Sequence, residues 1–356
     1  MVQARQRRLT AGTWGALTGR SRHSDSRPGH PGRPGRPGFP GRRSPGPGFG
    51  SGSGRLGAPR RRLLLVFLVP GLALYTVFIV YPLLSALQYS LFRWSGTRQD
   101  GFAGLANFSD LFTRYPLSEQ VWRALEHNVL FFAGTMLVQN TAGLTFAVLL
   151  YRSRRGKRFL QTAFTLPHMV SPIVVGYLWS AMLNPQVGVV NATLRAVGLD
   201  ALAQPWRGDP HLALPVAICV NAWQWIGFPM LLFGAALAGI PQEYHEAARC
   251  DGASAWHTFR RVTLPLLTPA IGIVSVLTFV GNFNVLDLIY SLEGSQGNPA
   301  FATDVLGLLF YRTAYQNPDT NAIGQSSALA VCMFVLIFGT ALAASRVFRR
   351  MEDRLK

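Results

Sequence analysis

His245-Glu246-Ala-Ala-Arg249 stands one residue away from a zinc site. In a His-Glu-x-x-His segment two imidazoles one helical turn apart hold the metal, and the glutamate acts as general base. Here the second ligand position is Arg249, a permanently protonated donor that cannot bind a cation. Hydrolytic metal chemistry is therefore not expected. The three cysteines, Cys219, Cys250 and Cys332, lack the paired spacing of a zinc site or a disulfide framework. No Gly-x-x-x-x-Gly-Lys-Ser/Thr run occurs, so the chain has no phosphate-cradling loop of its own. No catalytic residue, metal ligand or bound cofactor is expected.

Polar side chains inside apolar runs are the next candidates, because they are costly at membrane depth and are kept there for function or for helix packing. Asn221, Gln224, Trp225 and Phe228 follow the i, i+3, i+4, i+7 spacing of one helical face. Ser275, Thr278 and Asn282 share a second face, with Asn284 and Asp287 on another. Amides, hydroxyls and aromatic rings suit a sugar, which offers hydroxyl groups to hydrogen-bond and apolar ring faces to stack. Gln224, Trp225, Phe228, Thr278, Asn282 and Asn284 are the candidate substrate-lining residues. Asp287 is expected to be a structural carboxylate near an outer surface.

These residues need long apolar helices to position them. Of the 356 residues 49% are apolar and only 14% charged, a balance that argues against a typical soluble protein. A helix crossing a bilayer core of about 30 Å needs about 20 mostly apolar residues. Six stretches reach that length: 63–92, 128–151, 159–183, 212–240, 266–292 and 323–344. Pro70, Pro82, Pro167, Pro172, Pro215 and Pro229 lie within them and are expected to kink the helices. The first stretch is too long and too far from residue 1 for an ordinary cleaved signal peptide, so it is expected to be retained.

The net charge of +18 divides unevenly. Residues 1–62 hold 14 arginines and one acid, together with a repeated Pro-Gly pattern from Pro28 to Pro40. This composition cannot bury a core, so a disordered cytoplasmic tail is expected. Nucleic-acid binding is not, whereas attraction to anionic lipid is a plausible side effect of the arginines. Five bases in 152–158 and five between Arg346 and Lys356 mark two further cytoplasmic segments by the excess of Lys and Arg on that side. Both termini and residues 241–265 then fall inside, and 93–127, 184–211 and 293–322 outside. The expected organisation is a tail at 1–62, a transmembrane domain at 63–350 and a cytoplasmic end at 351–356.

The segment between the fourth and fifth stretches carries the most specific signal. Gln242 to Arg249 is a short helix-forming run, Gly252 can supply a positive-φ turn, and Ser254 to Val262 can form a second short helix before Pro265 and Pro269. Glu246-Ala247-Ala248, three residues, Gly252, nine residues, and Val262-x-Leu264-Pro265 resemble the EAA loop of permease subunits in bacterial binding-protein-dependent ABC importers. Val262 stands where isoleucine is usual, which is a minor departure. Asp251, Ala253, Trp256, Phe259 and Pro269, with Gly297-Asn-Pro299 and Ala302-Thr-Asp304, resemble the carbohydrate-importer branch. Val69-Pro-Gly, Tyr81-Pro82 and Gly104-Leu-Ala-Asn107-Phe resemble the first-type partner of a permease pair.

The resemblance spans about residues 63–350. It implies an all-α membrane protein with six transmembrane helices and a cytoplasmic coupling-helix loop at 241–265. It also implies a bacterial inner-membrane location, a second homologous permease, two cytoplasmic ATPase subunits that hydrolyse the ATP, and an extracytoplasmic sugar-binding protein. Glu246, Ala247, Ala248, Asp251, Gly252, Leu264 and Pro265 would couple to the ATPase: Glu246 as the charged contact, Ala247 and Ala248 as the close-packing face, and Gly252 as the turn. The competing expectation is an ion-coupled secondary transporter. Inverted repeats and a midplane ion site would favour it, but no clear repeat is present.

Overall fold

The computed structural model of the chain describes residues 58–152, 156–317 and 319–353. Most of the expected N-terminal tail lies outside these residues. Its last part, 58–62, begins α1 (Ala58–Tyr75), and α2 (Tyr81–Ser90) continues the same helix after a π-helical turn at Thr76–Val80. Pro82 lacks the N–H that would bond back to Phe78, so the ladder widens just before it. Most of the apolar side chains of Val66–Ser90 are exposed on this chain, and only the α2 end packs, against α17.

A hairpin of β1 (Phe92–Ser95) and β2 (Arg98–Phe102) follows, turning at Gly96-Thr97. The expectation of an all-α chain is corrected here. Phe92, Trp94 and Phe102 are strand formers around a tight turn, but five residues are too short a run to stand out between apolar helices. Next comes α3 (Ala106–Thr113). Asn107, fully buried, donates to the carbonyls of Ser90 and Phe92 at 2.8 Å each and accepts from Asn321 Nδ2 at 2.8 Å. The residue singled out in the Gly-Leu-Ala-Asn-Phe run thus ties the hairpin to the start of the last helix.

The second apolar stretch is a continuous helix over Leu117–Tyr151, built from α4 (Leu117–Thr135), a π turn at Met136–Asn140, and α5 (Thr141–Arg152). The third stretch is not one continuous helix. It divides into α6 (Lys157–Thr165), a 3₁₀ turn at Leu166–Met169, an extended link, and α7 (Pro172–Met182). Pro167 and Pro172 explain the break, because each removes a backbone donor and Pro172 disfavours helix at Ser171. Outer connections contain α8 (Val189–Ala196). The fourth stretch is α9 (Pro210–Trp225) and α10 (Gly227–Ala238), bent by 50°, with Pro229 four residues after Trp225.

The loop helices α11 (Gln242–Cys250), α12 (Ala255–Thr258) and α13 (Leu264–Leu266) lead into α14 (Thr268–Phe283) through a 65° bend beside Pro265 and Pro269. The chain then forms α15 (Asp287–Glu293), α16 (Leu306–Tyr315) and the long α17 (Ala322–Asp353). Among the described residues three helices are long and apolar enough to cross a membrane, or five if each bent pair is one span.

Packing joins elements remote in sequence: α5 with α10, α7 with α15, α2 with α17, and α14 with α17. The α7–α15 contact is set by Gly176. A Cβ there would lie 1.9 Å from Ser291 Oγ, 2.8 Å from Ser291 Cβ and 3.0 Å from the Leu288 carbonyl. One apolar core gathers Phe131, Val175, Ile218, Leu288 and Leu292; a second gathers Leu111, Ala124, Phe283, Leu309 and Leu329. A third, around Met230, Phe233, Leu267 and Val274, lies next to the loop helices.

Polar residues hold the breaks. Asn128, buried in α4, donates to the Asn282 carbonyl at 3.0 Å and accepts from the Leu306 amide at 2.8 Å, so one side chain satisfies a backbone group at the end of α14 and one at the start of α16. The Gly297-Asn-Pro and Ala302-Thr-Asp runs build the loop between α15 and α16. Asp304 takes a two-pronged pair from Arg312 at 2.7 and 2.6 Å, both groups buried.

Candidate functional site

Two features remain after the packing is accounted for: a cavity at the bends, and the α11–α12 loop. The cavity, about 140 Å³, lies where α9 breaks into α10 and where α14 ends. Its aromatic wall is Trp225 and Phe228. Its polar wall is Gln139, Asn221, Thr278, Asn282 and Asn284, with Asp287 at one side.

Five of the six residues expected to line a substrate path, Trp225, Phe228, Thr278, Asn282 and Asn284, surround this one cavity. Gln224 does not. It is fully buried, and its Nε2 donates to the Val170 carbonyl at 2.9 Å, at the break between α6 and α7. The shared helical face expected for Asn221 to Phe228 assumes a straight helix. The 50° bend falls after Trp225 and redirects Phe228; Gln224, on the same straight helix as Asn221 and Trp225, is instead taken up by the α6–α7 link.

The polar wall is wired across three spans. Asn221 Nδ2 donates to Gln139 Oε1 at 3.3 Å, and Asn140 Nδ2 donates to Thr278 Oγ1 at 3.0 Å. Gln139 and Asn140 sit in the π turn of the second span, where one residue too many per turn pushes both side chains inward. They were open to discovery as the only amide pair in the run 128–151. Asn282 is 5% exposed, and its Nδ2 is buried without a partner among the described residues. His168 stacks on Trp225 at 4.3 Å between ring centroids and so fixes the indole from the side of the α6–α7 break.

Asp287, expected as a structural carboxylate near an outer surface, stands in the first turn of α15; it is exposed, lines the cavity and forms no ion pair among the described residues. Glu293 is the buried carboxylate of this region. It is buried and receives Arg207 Nε at 3.1 Å; Arg207 also donates to Ser180 Oγ at 2.7 Å and to the Leu292 carbonyl. Burial pushes the Glu293 carboxyl up to about 7, against the lowering effect of the guanidinium.

The α11–α12 loop is a compact local structure. α11 closes in a Schellman arrangement: the Ala253 amide donates to the Ala248 carbonyl at 2.9 Å and the Gly252 amide to the Arg249 carbonyl at 3.0 Å. Gly252 holds φ at +74°, the left-handed conformation that favours glycine. Ser254 Oγ then caps α12 by accepting from the His257 amide at 3.3 Å. Glu246, Ala247, Asp251 and Gly252 are exposed. Ala248 is buried inside the chain, so of the two alanines only Ala247 presents itself outward. Leu264 and Pro265 are half-buried at the bend into α14. Trp256, 68% exposed, and Tyr244 leave apolar rings on the outside of the loop. A loop of this form can transmit a push to α14, because α11 packs against the Phe259–Thr263 turn that continues into α13 and α14.

Residues 139–353 match the family model described as binding-protein-dependent transport system inner membrane component. This span contains the whole loop and every residue lining the cavity. The probable ABC transporter permease protein YurN of Bacillus subtilis (strain 168) is 32% identical over 81% of this chain and 96% of its own length. The lactose transport system permease protein LacF of Rhizobium radiobacter is 31% identical over 76% of this chain and 90% of its own. Among solved structures, a bacterial ABC transporter involved in import of the acidic polysaccharide alginate matches with a TM-score of 0.69 and 26% identity, covering 82% of this chain and 96% of that one. The alginate transporter has also been solved in complex with its alginate pentasaccharide-bound periplasmic protein, with the same degree of match.

Proposed function

The chain belongs to the family of binding-protein-dependent transport system inner membrane components, and on that premise we propose that it is the permease subunit of an ATP-driven importer of a sugar. The observation that carries the sugar reading is the cavity. An indole and a phenyl ring face four amides and a hydroxyl, the mixture of stacking surface and hydrogen-bonding groups that a pyranose matches. The lactose permease relative and the alginate transporter support the same substrate class.

In this reading the membrane is crossed six times: α1–α2, α4–α5, the broken α6–α7, the bent α9–α10, the bent α12–α14, and α17. Non-helical backbone at membrane depth is tolerated where protein buries it or where it lines a cavity; the α6–α7 break meets this condition through Gln224 and His168. Both termini and the α11–α12 loop face the cytoplasm of a bacterial cell, at its inner membrane. The transmembrane domain is 63–350, preceded by a cytoplasmic tail.

The partners are a second, homologous permease, two ATPase subunits and an extracytoplasmic sugar-binding protein. Val66–Ser90, whose apolar side chains are mostly exposed on this chain, supplies surface for lipid and for the second permease. The segments 184–211 and 293–322, tied together by Arg207 and Glu293, form the outer docking surface. In the loop Glu246 is the charged contact to the ATPase, Ala247 the close-packing point, and Asp251-Gly252 the turn. Leu264 and Pro265 pass the motion to α14 as a rigid-body tilt.

The test is the double variant Glu246→Ala, Gly252→Pro, with Glu246→Arg as a version that leaves the turn intact. Both should lower co-purification with the ATPase subunits and sugar uptake by at least tenfold while the permease pair still assembles. Unchanged association and uptake would remove the coupling role.

A further inference from the structure

The cavity carries a charge pattern that narrows the substrate class, and this inference rests on the sugar reading above. Among its lining residues there is no lysine, arginine or histidine, and there is one carboxylate, Asp287. His168 stacks on Trp225 but does not line the cavity. Asp287 has no guanidinium or ammonium within salt-bridge distance among the described residues. From this we infer that the permease passes uncharged sugars and rejects anionic ones, uronates and sugar phosphates alike, with Asp287 as the residue that discriminates.

The physical basis is the match of donors to acceptors. A neutral sugar hydroxyl can donate to the Asp287 carboxylate, a charge-assisted bond stronger than a neutral one. An anionic sugar brings acceptors only at its charged group. Within this chain's share of the lining it would meet a like charge with no base to offset it, in a partly desolvated site where Coulomb terms exceed their value in water. Discrimination by an uncompensated repulsion is a recognised route to specificity. The aromatic wall adds a stacking surface for the apolar face of the ring, neutral or charged alike, and so leaves the discrimination to Asp287.

Size points the same way. A volume of about 140 Å³ lies below the roughly 300 Å³ at which complete ligand pockets begin. The cavity therefore holds about one ring, with the remainder of the site contributed by the second permease. Asp287 stands at its exposed side, where an incoming group is met first.

The experiment uses the assembled complex, permease pair with its ATPases, in nanodiscs. Saturation-transfer NMR would be recorded with neutral disaccharides built of glucose, galactose or xylose, and with digalacturonate and glucose 6-phosphate as anionic probes. At least one neutral disaccharide should bind, with both anions at least tenfold weaker. Asp287→Asn should narrow that gap to under threefold, and Asp287→Lys should favour the anions. Because Asp287 is exposed and unpaired, both variants should assemble as the parent does. Equal binding of neutral and anionic probes by the parent complex, or a gap unchanged in Asp287→Asn, would overturn the charge selection while leaving the sugar reading in place. Failure of every sugar, neutral or charged, to bind would instead remove the sugar reading, and the selection with it.

Discussion

Glu293 and Asp287 are six residues apart and in opposite situations. Glu293 is buried against Arg207, Ser180 and the end of α15; Asp287 opens onto the cavity. Burial raises the Glu293 carboxyl from 4.5 to about 7. Between those two pH values the folded chain holds a proton that the unfolded chain has released. Stability from this group is thus complete below about pH 4.5, declines as pH rises through about 7, and is flat above. In thermal melts of the purified complex from pH 5 to pH 8, Glu293→Gln should lose this part of the pH slope. Identical slopes in variant and parent would mean that Glu293 stays ionised throughout. Of the residues around the cavity, Trp225, Phe228, Thr278, Asn282 and Asn284 were legible because each is a polar or aromatic interruption of an apolar run. Gln224 lies outside the cavity because the Val170 carbonyl takes its amide, and Gln139 was missed because the π turn decides where it points.

At the level of elements, proline sets the bends and glycine sets the contacts. Breaks occur at Pro167 and Pro172, at the approach to Pro229, and between Pro265 and Pro269, all positions where a backbone donor is missing. The α7–α15 contact depends on Gly176. Rotating Ser291 could move its hydroxyl, at the loss of bonds to the Asp287 and Leu288 carbonyls at 2.7 and 3.1 Å, but its Cβ and the Leu288 carbonyl would remain in the way. Gly176→Ala should therefore cost about 1–3 kcal/mol, the usual penalty of overpacking a filled contact. Melting of the complex reports it. Gly234→Ala, with nothing within 4 Å of the added carbon, is the matched substitution that should leave the melt unchanged. An equal effect from both would place the cost in the helices rather than in the contact.

For the whole molecule, the question is which way the spans face. Cys250 is exposed at the end of α11, in the segment proposed to be cytoplasmic. With Cys219 and Cys332 replaced by alanine, a membrane-impermeant maleimide should label Cys250 in inside-out vesicles and not in intact cells. Labelling in intact cells would invert the proposed topology. The exposed apolar surface of Val66–Ser90, with Phe67 79% and Phe78 71% exposed, accords with a chain whose solvent on that side is lipid or a partner helix.

The sequence by itself determined what is local. Apolar runs of span length, the asymmetry of Lys and Arg, and the Glu-Ala-Ala to Leu-Pro loop are all readable because their causes lie within a few residues of each other. A Schellman closure at Gly252 needs only its own neighbours. The tertiary structure decided what depends on distant partners. Asn221 meets Gln139 across 82 residues, Asn128 meets Asn282 across 154, and Asn107 meets Asn321 across 214. Where several prolines fall in one apolar run, composition marks where the helix can break but not whether it does or by what angle: Pro70 and Pro215 sit inside continuous helices. The angle follows from packing against other spans, and it is the angle that gathers an aromatic wall, four amides and a single carboxylate around one cavity.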